Sequence, residues 1–293
     1  MTTIQTGATT KLNQHEIIPA KNDVGALANR INTQTKGQHD KINKAIVLKL
    51  ALALRDARIY RQGLQSFYHV FASIEEVLFD QFEKNPNGKY TSMLKQVWKP
   101  EMARAERART DLLFYYDDNK SKFMNPKMSE QINFANHIKE KCNEKPYLLL
   151  AYLHVMYLAL FAGGRIMRSS ISKATGLFPQ KDNLKHEEII KLGANFFCFD
   201  VTDEDSFRLL YKRDYELATR NFLTEDQKQE IIKESIYIFE QNYKCVKELE
   251  KHNLELLTKK WSYIAATKGY YAAVVLLVVF FIYYLQKMLS AWV

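Results

Sequence analysis

Apolar residues recur every three to four positions along most of the chain, the spacing of one helix face. The first such pattern opens after Asn22 and Asp23, two candidate N-caps, and carries Leu27 and Ile31 toward a local break at Gly37. A second covers residues 56–83, and the turn residues Asn85-Pro-Asn-Gly88 end it. Further helical patterns cover residues 90–116, 129–141, 146–175, 186–197, 202–220 and 224–260. Pro146 occupies the favoured first-turn position of its helix, and Gly176 is placed to cap the far end. Thr224 lies three residues before Gln227, the spacing of a capping box. Nothing alternates at period two, and neither a repeat nor a linker divides the body. The pattern predicts one all-α domain over residues 23–258, preceded by a mobile polar arm over residues 1–22 with no secretory signal.

The end of the chain follows a different rule. Between Lys268 and Lys287 lie 18 residues without a charge. As a helix they span about 27 Å, just enough for a bilayer core. Tyr270 and Tyr271 stand at one end and Tyr283 and Tyr284 at the other, as interfacial aromatics do. Lys259, Lys260 and Lys268 flank the N-terminal side. A buried core helix is the alternative, but it would be apolar on every face at a chain end. The expectation is a transmembrane tail anchor at 269–287, a basic juxtamembrane linker at 259–268, and a body facing the cytosol.

Composition narrows the chemistry. Of 293 residues, 47% are apolar and only 10 are Gly and 6 Pro, which argues against disorder and most all-β architectures. Cys142, Cys198 and Cys245 lack metal-ligand spacing, so a disulfide framework or cysteine zinc site is not expected. A net charge of +9 favours an anionic partner, yet the basic residues are dispersed and no recognition helix stands out. Nucleic acid is therefore not expected as a partner. Gly163-Gly164 interrupts an apolar helix, and each mid-helix Gly costs about 1 kcal/mol relative to Ala. Close helix packing and backbone approach to a flat ligand are both open explanations, and both imply a kink. His39 stands among polar residues, as a solvated histidine or an iron ligand would. His69 and His154 lie on apolar helices and read as core histidines. Arg208 and Lys212 share a helix face, where they are either solvated or able to grip carboxylates.

The order of these features resembles the heme oxygenases, most closely their divergent yeast branch, over residues 23–250. The segments that carry it are TKGQHDKIN around His39, LQSFYHVFASIEE at 64–76, AYLHVMYLALFAGG at 151–164, GANFFCF at 193–199 and FEQNYKCVKELE at 239–250. The resemblance implies a helical bundle that sandwiches heme between a proximal and a distal helix. It makes His39 the axial iron ligand and sets Gly163 and Gly164 over the porphyrin. Arg208 and Lys212 would hold the propionates, with Phe239 and Asn242 as further pocket residues. A propionate position where the family has Lys is Asn32 here, with Arg30 or Lys36 as substitutes. Tyr68 and Tyr157 match two tyrosines of the family's distal network and stand with Gly163 and Gly164 as catalytic candidates. The usual distal Asp is replaced by Leu160, its preceding Gly by Ala159, and the network Arg by Met156.

By this resemblance the protein is expected to degrade heme to biliverdin, carbon monoxide and ferrous iron, serving heme-iron reutilisation. Heme would be both substrate and cofactor. NADPH would act indirectly, through a cytochrome P450-type reductase, and the anchor would sit in the endoplasmic reticulum membrane. Leu160 keeps a second reading open, a heme-binding or heme-sensing protein with little turnover. A tail-anchored adaptor without heme is a third.

Overall fold

The structure, a computed structural model, describes residues 19–20, 23–125, 128–174, 176–179, 184–254, 259, 261–265 and 269–290. The arm expected at 1–22 lies largely outside these residues, as do Asn22 and, in the linker expected at 259–268, Lys260 and residues 266–268. Among the described residues every regular element is helical.

The first pattern resolves into α1 (Leu27–Gln34) and α2 (Lys36–Ala53). The break falls at Thr35 rather than Gly37, because the Thr35 hydroxyl donates to the Ile31 carbonyl at 2.8 Å and competes with the helix ladder. Ala26, not Asp23, is the N-cap of α1. Asp23 instead accepts from the Gly25 N–H at 2.8 Å and pairs with Arg220 at 2.7 Å. The 28-residue α3 (Ala57–Lys84) starts at Asp56, whose carboxylate accepts from the Arg58 N–H at 3.0 Å.

The pattern at 90–116 is two helices, α4 (Lys89–Val97) and α5 (Ala105–Tyr115), with a 3-10 turn at Pro100–Met102 between them. Pro100 supplies no N–H and pushes Lys99 into extended backbone, so one continuous helix cannot form. α6 (Ser129–Glu144) follows. Its free N-terminal amides are met by the Glu248 carboxylate, at 3.0 Å from Ser129 and 2.9 Å from Glu130.

Residues 146–172 form the centre of the body. A 3-10 turn at Pro146–Leu148 leads into α7 (Leu149–Tyr152), a π turn at Leu153–Tyr157, and α8 (Leu158–Ser172). Leu149, Leu150, Ala151, Tyr152 and Leu153 are fully buried. The Tyr211 and Tyr215 hydroxyls donate to the Leu153 and Leu150 carbonyls at 2.6 and 3.2 Å, holding the irregular stretch from outside its ladder. A 46° bend separates Pro146–Phe161 from Gly163–Ser172, the kink that Gly-Gly predicts. α8 ends at Ser172 with Lys173 as its cap, and no glycine among the described residues takes a positive φ, so Gly176 is not the stop signal.

The remaining body elements are α9 (His186–Gly193), a 3-10 turn at Asn195–Phe197, α10 (Glu204–Phe222) and α11 (Glu225–His252). The capping box between Thr224 and Gln227 opens α11. α11 packs against α1, α2, α6 and α7, so it joins both halves of the bundle. The short α12 (Trp261–Ile264) and the 21-residue α13 (Tyr270–Ser290) end the chain. The apolar run of α13 covers Tyr270–Tyr284, and its large side chains are 40–69% exposed. No single helix among the described residues is long and apolar enough to cross a membrane.

Candidate functional site

A cavity of about 490 Å³ opens between α2, α3, α8 and α11. Each helix contributes residues spaced three or four apart, the face that one helix can present. α2 gives His39, Ile42, Asn43 and Ile46; α3 gives Tyr60, Gly63, Leu64, Phe67 and Phe71. The π turn and α8 give Met156, Ala159, Leu160, Gly163, Gly164 and Met167. α11 gives Phe239, Asn242, Val246 and Leu249, and the turn after α9 adds Phe196 and Phe197. The walls are overwhelmingly apolar, with few polar groups, which is the composition of a site for a large apolar ligand.

His39, Gly163, Gly164, Phe239 and Asn242, all singled out in the sequence, meet in this one cavity. The His39 side chain is 61% exposed, packs edge-on against Phe239 at 6.0 Å, and has Nδ1 3.4 Å from the Asp40 carboxylate. A Cβ added at Gly163 would meet nothing within 4 Å, and one at Gly164 only the Phe197 carbonyl at 3.7 Å. Neither glycine is therefore forced by packing against another protein element. The Asn242 amide donates to the Ile238 carbonyl at 2.8 Å and reaches Met156 Sδ at 3.2 Å.

The other four candidates stand apart. Tyr157 is one helical step off the lining face. Its buried hydroxyl donates to Glu75 at 3.0 Å, and burial plus that carboxylate push the phenol far up. Tyr68 is likewise off the α3 face, with its hydroxyl 3.5 Å from Met124 Sδ. Arg208 and Lys212 lie on α10, whose residues do not line the cavity. Arg208 pairs with Asp205 at 3.1 Å while its Nε is buried without a partner among the described residues. Burial and the neighbouring Arg208 lower the Lys212 pKa. His154, in the π turn, is buried, and desolvation reinforced by the Lys212 charge pulls it down to about 4. Its Nε2 lies 3.1 Å from Asn32 Oδ1, which gives Asn32 a structural partner. Arg30 is engaged by Glu225, and Lys36 pairs with Asp40 at 3.2 Å.

Behind the cavity wall lies a polar layer that no motif announced. Glu75 accepts from the Arg104 and Ala105 backbone N–H groups at 2.5 and 3.2 Å, closing the N-terminus of α5. Arg104, fully buried, donates to the carbonyls of Met102, Phe196, Cys198 and Glu101 at 2.5–3.1 Å and lies over the Phe199 ring. Asp111 accepts from the backbone of Asn195 and Phe196 and from the Asn195 amide, each at 2.8 Å. These bonds position Phe196 and Phe197. A charged residue near an aromatic run was the only available signal.

The Heme oxygenase family model matches residues 25–248. The chain is 40% identical over 271 residues to the heme-binding protein HMX1 of Saccharomyces cerevisiae, covering 87% of this chain and 84% of that protein. It is 25% identical to a heme oxygenase of Guillardia theta, covering 80% and 90% of the two chains. The chain belongs to the heme oxygenase family. Its fold is that of heme oxygenase-1 from Synechocystis sp. PCC6803, solved in complex with heme, with TM-score 0.64, 22% identity, and coverage of 80% and 96%. Heme oxygenase 2 from Chlamydomonas reinhardtii, solved without heme, gives 0.66 at 20% identity, covering 76% and 97%. Against that family background, Leu160 stands in the cavity wall at 8% exposure, so this wall carries no carboxylate at that position.

Proposed function

We propose that the protein is a heme oxygenase that takes heme as substrate and opens it to biliverdin, carbon monoxide and ferrous iron. The observation that carries this is that α2 brings His39, and α8 brings Gly163 and Gly164, into the same cavity. The residues present fit a porphyrin. The walls are apolar, the space above Gly163 is open, and an accessible imidazole stands at the wall. His39 would hold the iron through Nε2, since Nδ1 faces Asp40 and the pair orients the ring. Phe239 packs against that ring and limits its rotation. Gly163 and Gly164 let the backbone of α8 come close to a flat ligand. Arg208 and Lys212, the basic pair expected for the substrate carboxylates, lie on α10 outside this cavity, so the proposal rests on His39, Gly163 and Gly164 and not on them. When bound, heme supplies both the iron that activates dioxygen and the ring that is opened.

Electrons would come from an NADPH-cytochrome P450-type reductase. The exposed apolar run of α13, bounded by Tyr pairs, supports a membrane anchor. The proposed location is the endoplasmic reticulum membrane with the body in the cytosol, and the role is heme-iron reutilisation.

One observation favours a second reading, a heme-binding or heme-sensing protein with little turnover. Leu160 cannot accept or relay a proton, and the Tyr157 hydroxyl is committed to Glu75. The test uses the full chain in detergent with hemin, NADPH and reductase, with catalase present. Loss of the Soret band with biliverdin formed supports the oxygenase. A stable Soret band supports the second reading, and no Soret band removes both. His39→Ala should alter the ferric spectrum; an unchanged spectrum would remove His39 from the iron.

A further inference from the structure

The central stretch of the body is held differently on the two sides of its 46° bend. Before the bend, Leu149, Leu150, Ala151, Tyr152 and Leu153 are fully buried, so apolar packing fixes that half. After it, Gly163 and Gly164 carry no side chain, Arg165 and Ser169 are exposed, and Ile166 is 70% exposed. Between the bend and the fully buried Ile171, Met167 alone packs an apolar side chain on the core. A Cβ added at either glycine would meet no side chain within 4 Å. The joint itself is therefore not locked by packing.

Charge holds the second half instead. Glu204, in the first turn of α10, receives two arginines from α8: Arg165 Nε at 3.2 Å and Arg168 Nη1 at 2.9 Å. The two arginines are three residues apart and share one helix face. Arg168 Nη1 also donates to the Phe197 carbonyl at 3.1 Å. Gly163, Gly164, Met167 and Phe197 all line the cavity, so this guanidinium ties together two pieces of its wall. Glu204 is itself well placed. Asp203 caps α10, accepting from the Asp205 and Ser206 N–H groups at 2.9 and 3.2 Å. Burial alone would raise the Glu204 carboxyl, but hydrogen bonds from Arg168 and Arg165 outweigh it and the pKa is lowered. Arg165 reaches Asp205 as well, at 3.0 Å, which makes the contact a network rather than one pair.

We propose that Glu204 is a positioning residue for the cavity: it seats residues 163–172 of α8 against the Phe196–Phe197 turn, and its release lets that segment move about Gly163-Gly164 and frees the ligand. The seat stands on this chain's own ion pairs. That the retained ligand is heme rests on the reading above.

Two measurements on the full chain in detergent decide the two halves of the proposal. Amide hydrogen exchange of the ligand-free protein is compared for wild type and Glu204→Gln, with residues 149–157 as the internal reference. Exchange over 163–172 should be about three- to tenfold faster in the variant, the worth of a small network of partly exposed pairs, with the reference unchanged. Salt at about 1 M, which screens beyond ~3 Å, should speed the wild type toward the variant and change the variant less. Unchanged exchange over 163–172, or equal speeding of the reference, would overturn the seat. The salt comparison needs no substitution and decides the seat even where the variant fails to fold. Hemin transfer to excess apomyoglobin then reads retention. It should be about three- to tenfold faster from Glu204→Gln than from wild type, and equal rates would overturn the control of ligand release. If the wild-type chain binds no hemin, the heme reading fails, and hydrogen exchange still decides the seat.

Discussion

Buried polar groups flank the cavity in two sets, and the two are completed differently. In the layer behind Phe71 and Phe196, the Glu75 and Asp111 carboxylates, the Arg104 guanidinium and the Tyr157 hydroxyl all have partners. In the second set, Tyr60, Tyr115 and His154 each bury one polar atom that has none among the described residues. Burial is similar in both sets, so burial does not separate them; satisfaction does. Fully paired groups hold the wall in place. Unpaired ones either wait for a ligand or water, or are tolerated at a cost to stability.

The sharpest way to break this comparison is Arg104→Met. Four backbone carbonyls on two separate segments would lose their donor together. Unfolding in urea should show a loss of about 3–5 kcal/mol. A loss below ~1 kcal/mol would show that the layer is not the scaffold.

Next in size is a pair of opposed pH effects. His154 is lowered to about 4 by burial, so the stability linked to its neutral form is complete above pH ~6.5 and lost as pH falls through 4. Asp111 is raised to about 6 by burial, so its ionisation destabilises the fold above that pH and the penalty disappears on acidification toward 3.8. Each amounts to about 3 kcal/mol by linkage, with opposite sign. In the wild type they largely offset. Between pH 6.5 and 4 these two groups should therefore leave a loss of stability on acidification in Asp111→Asn and a gain in His154→Gln, each relative to wild type. Parallel pH profiles for wild type and both variants would break the assignment.

Tyr157→Phe is smaller. It removes one of the donors to Glu75 and should cost about 1–2 kcal/mol. Hemin affinity should stay unchanged, because the hydroxyl faces Glu75 and not the cavity. A large loss of affinity at unchanged stability would return Tyr157 to the site.

Much of the cavity was legible because helix faces are periodic. His39, Gly163, Gly164, Phe239 and Asn242 follow from motif order, and Phe67 and Phe71 share the α3 face with Gly63 at simple helical spacing. The same arithmetic would have turned Tyr68 and Tyr157 away from the cavity, since each is about 100° from a lining neighbour. The layer of Arg104, Glu75 and Asp111 was not legible. The bonds that join its separate segments span 29 to 94 positions, and nothing local distinguishes a buried arginine from a surface one. The π turn was equally hidden, because the tyrosines that support it lie on α10.

The smallest expected effect is also a gain. Gly163 lies in a helix, has no positive φ, and offers open space where a Cβ would project. Gly163→Ala should stabilise the ligand-free chain by about 0.5–1 kcal/mol through helix propensity and unfolded-state entropy. Gly193 is the control of opposite sign, because a Cβ there would sit 2.9 Å from the Phe114 ring. If the space over Gly163 is kept for a porphyrin, the more stable alanine variant should bind hemin less tightly, and unfolding and titration should move in opposite directions. A variant that gains stability and keeps full affinity would show that the open space over Gly163 is no part of the site.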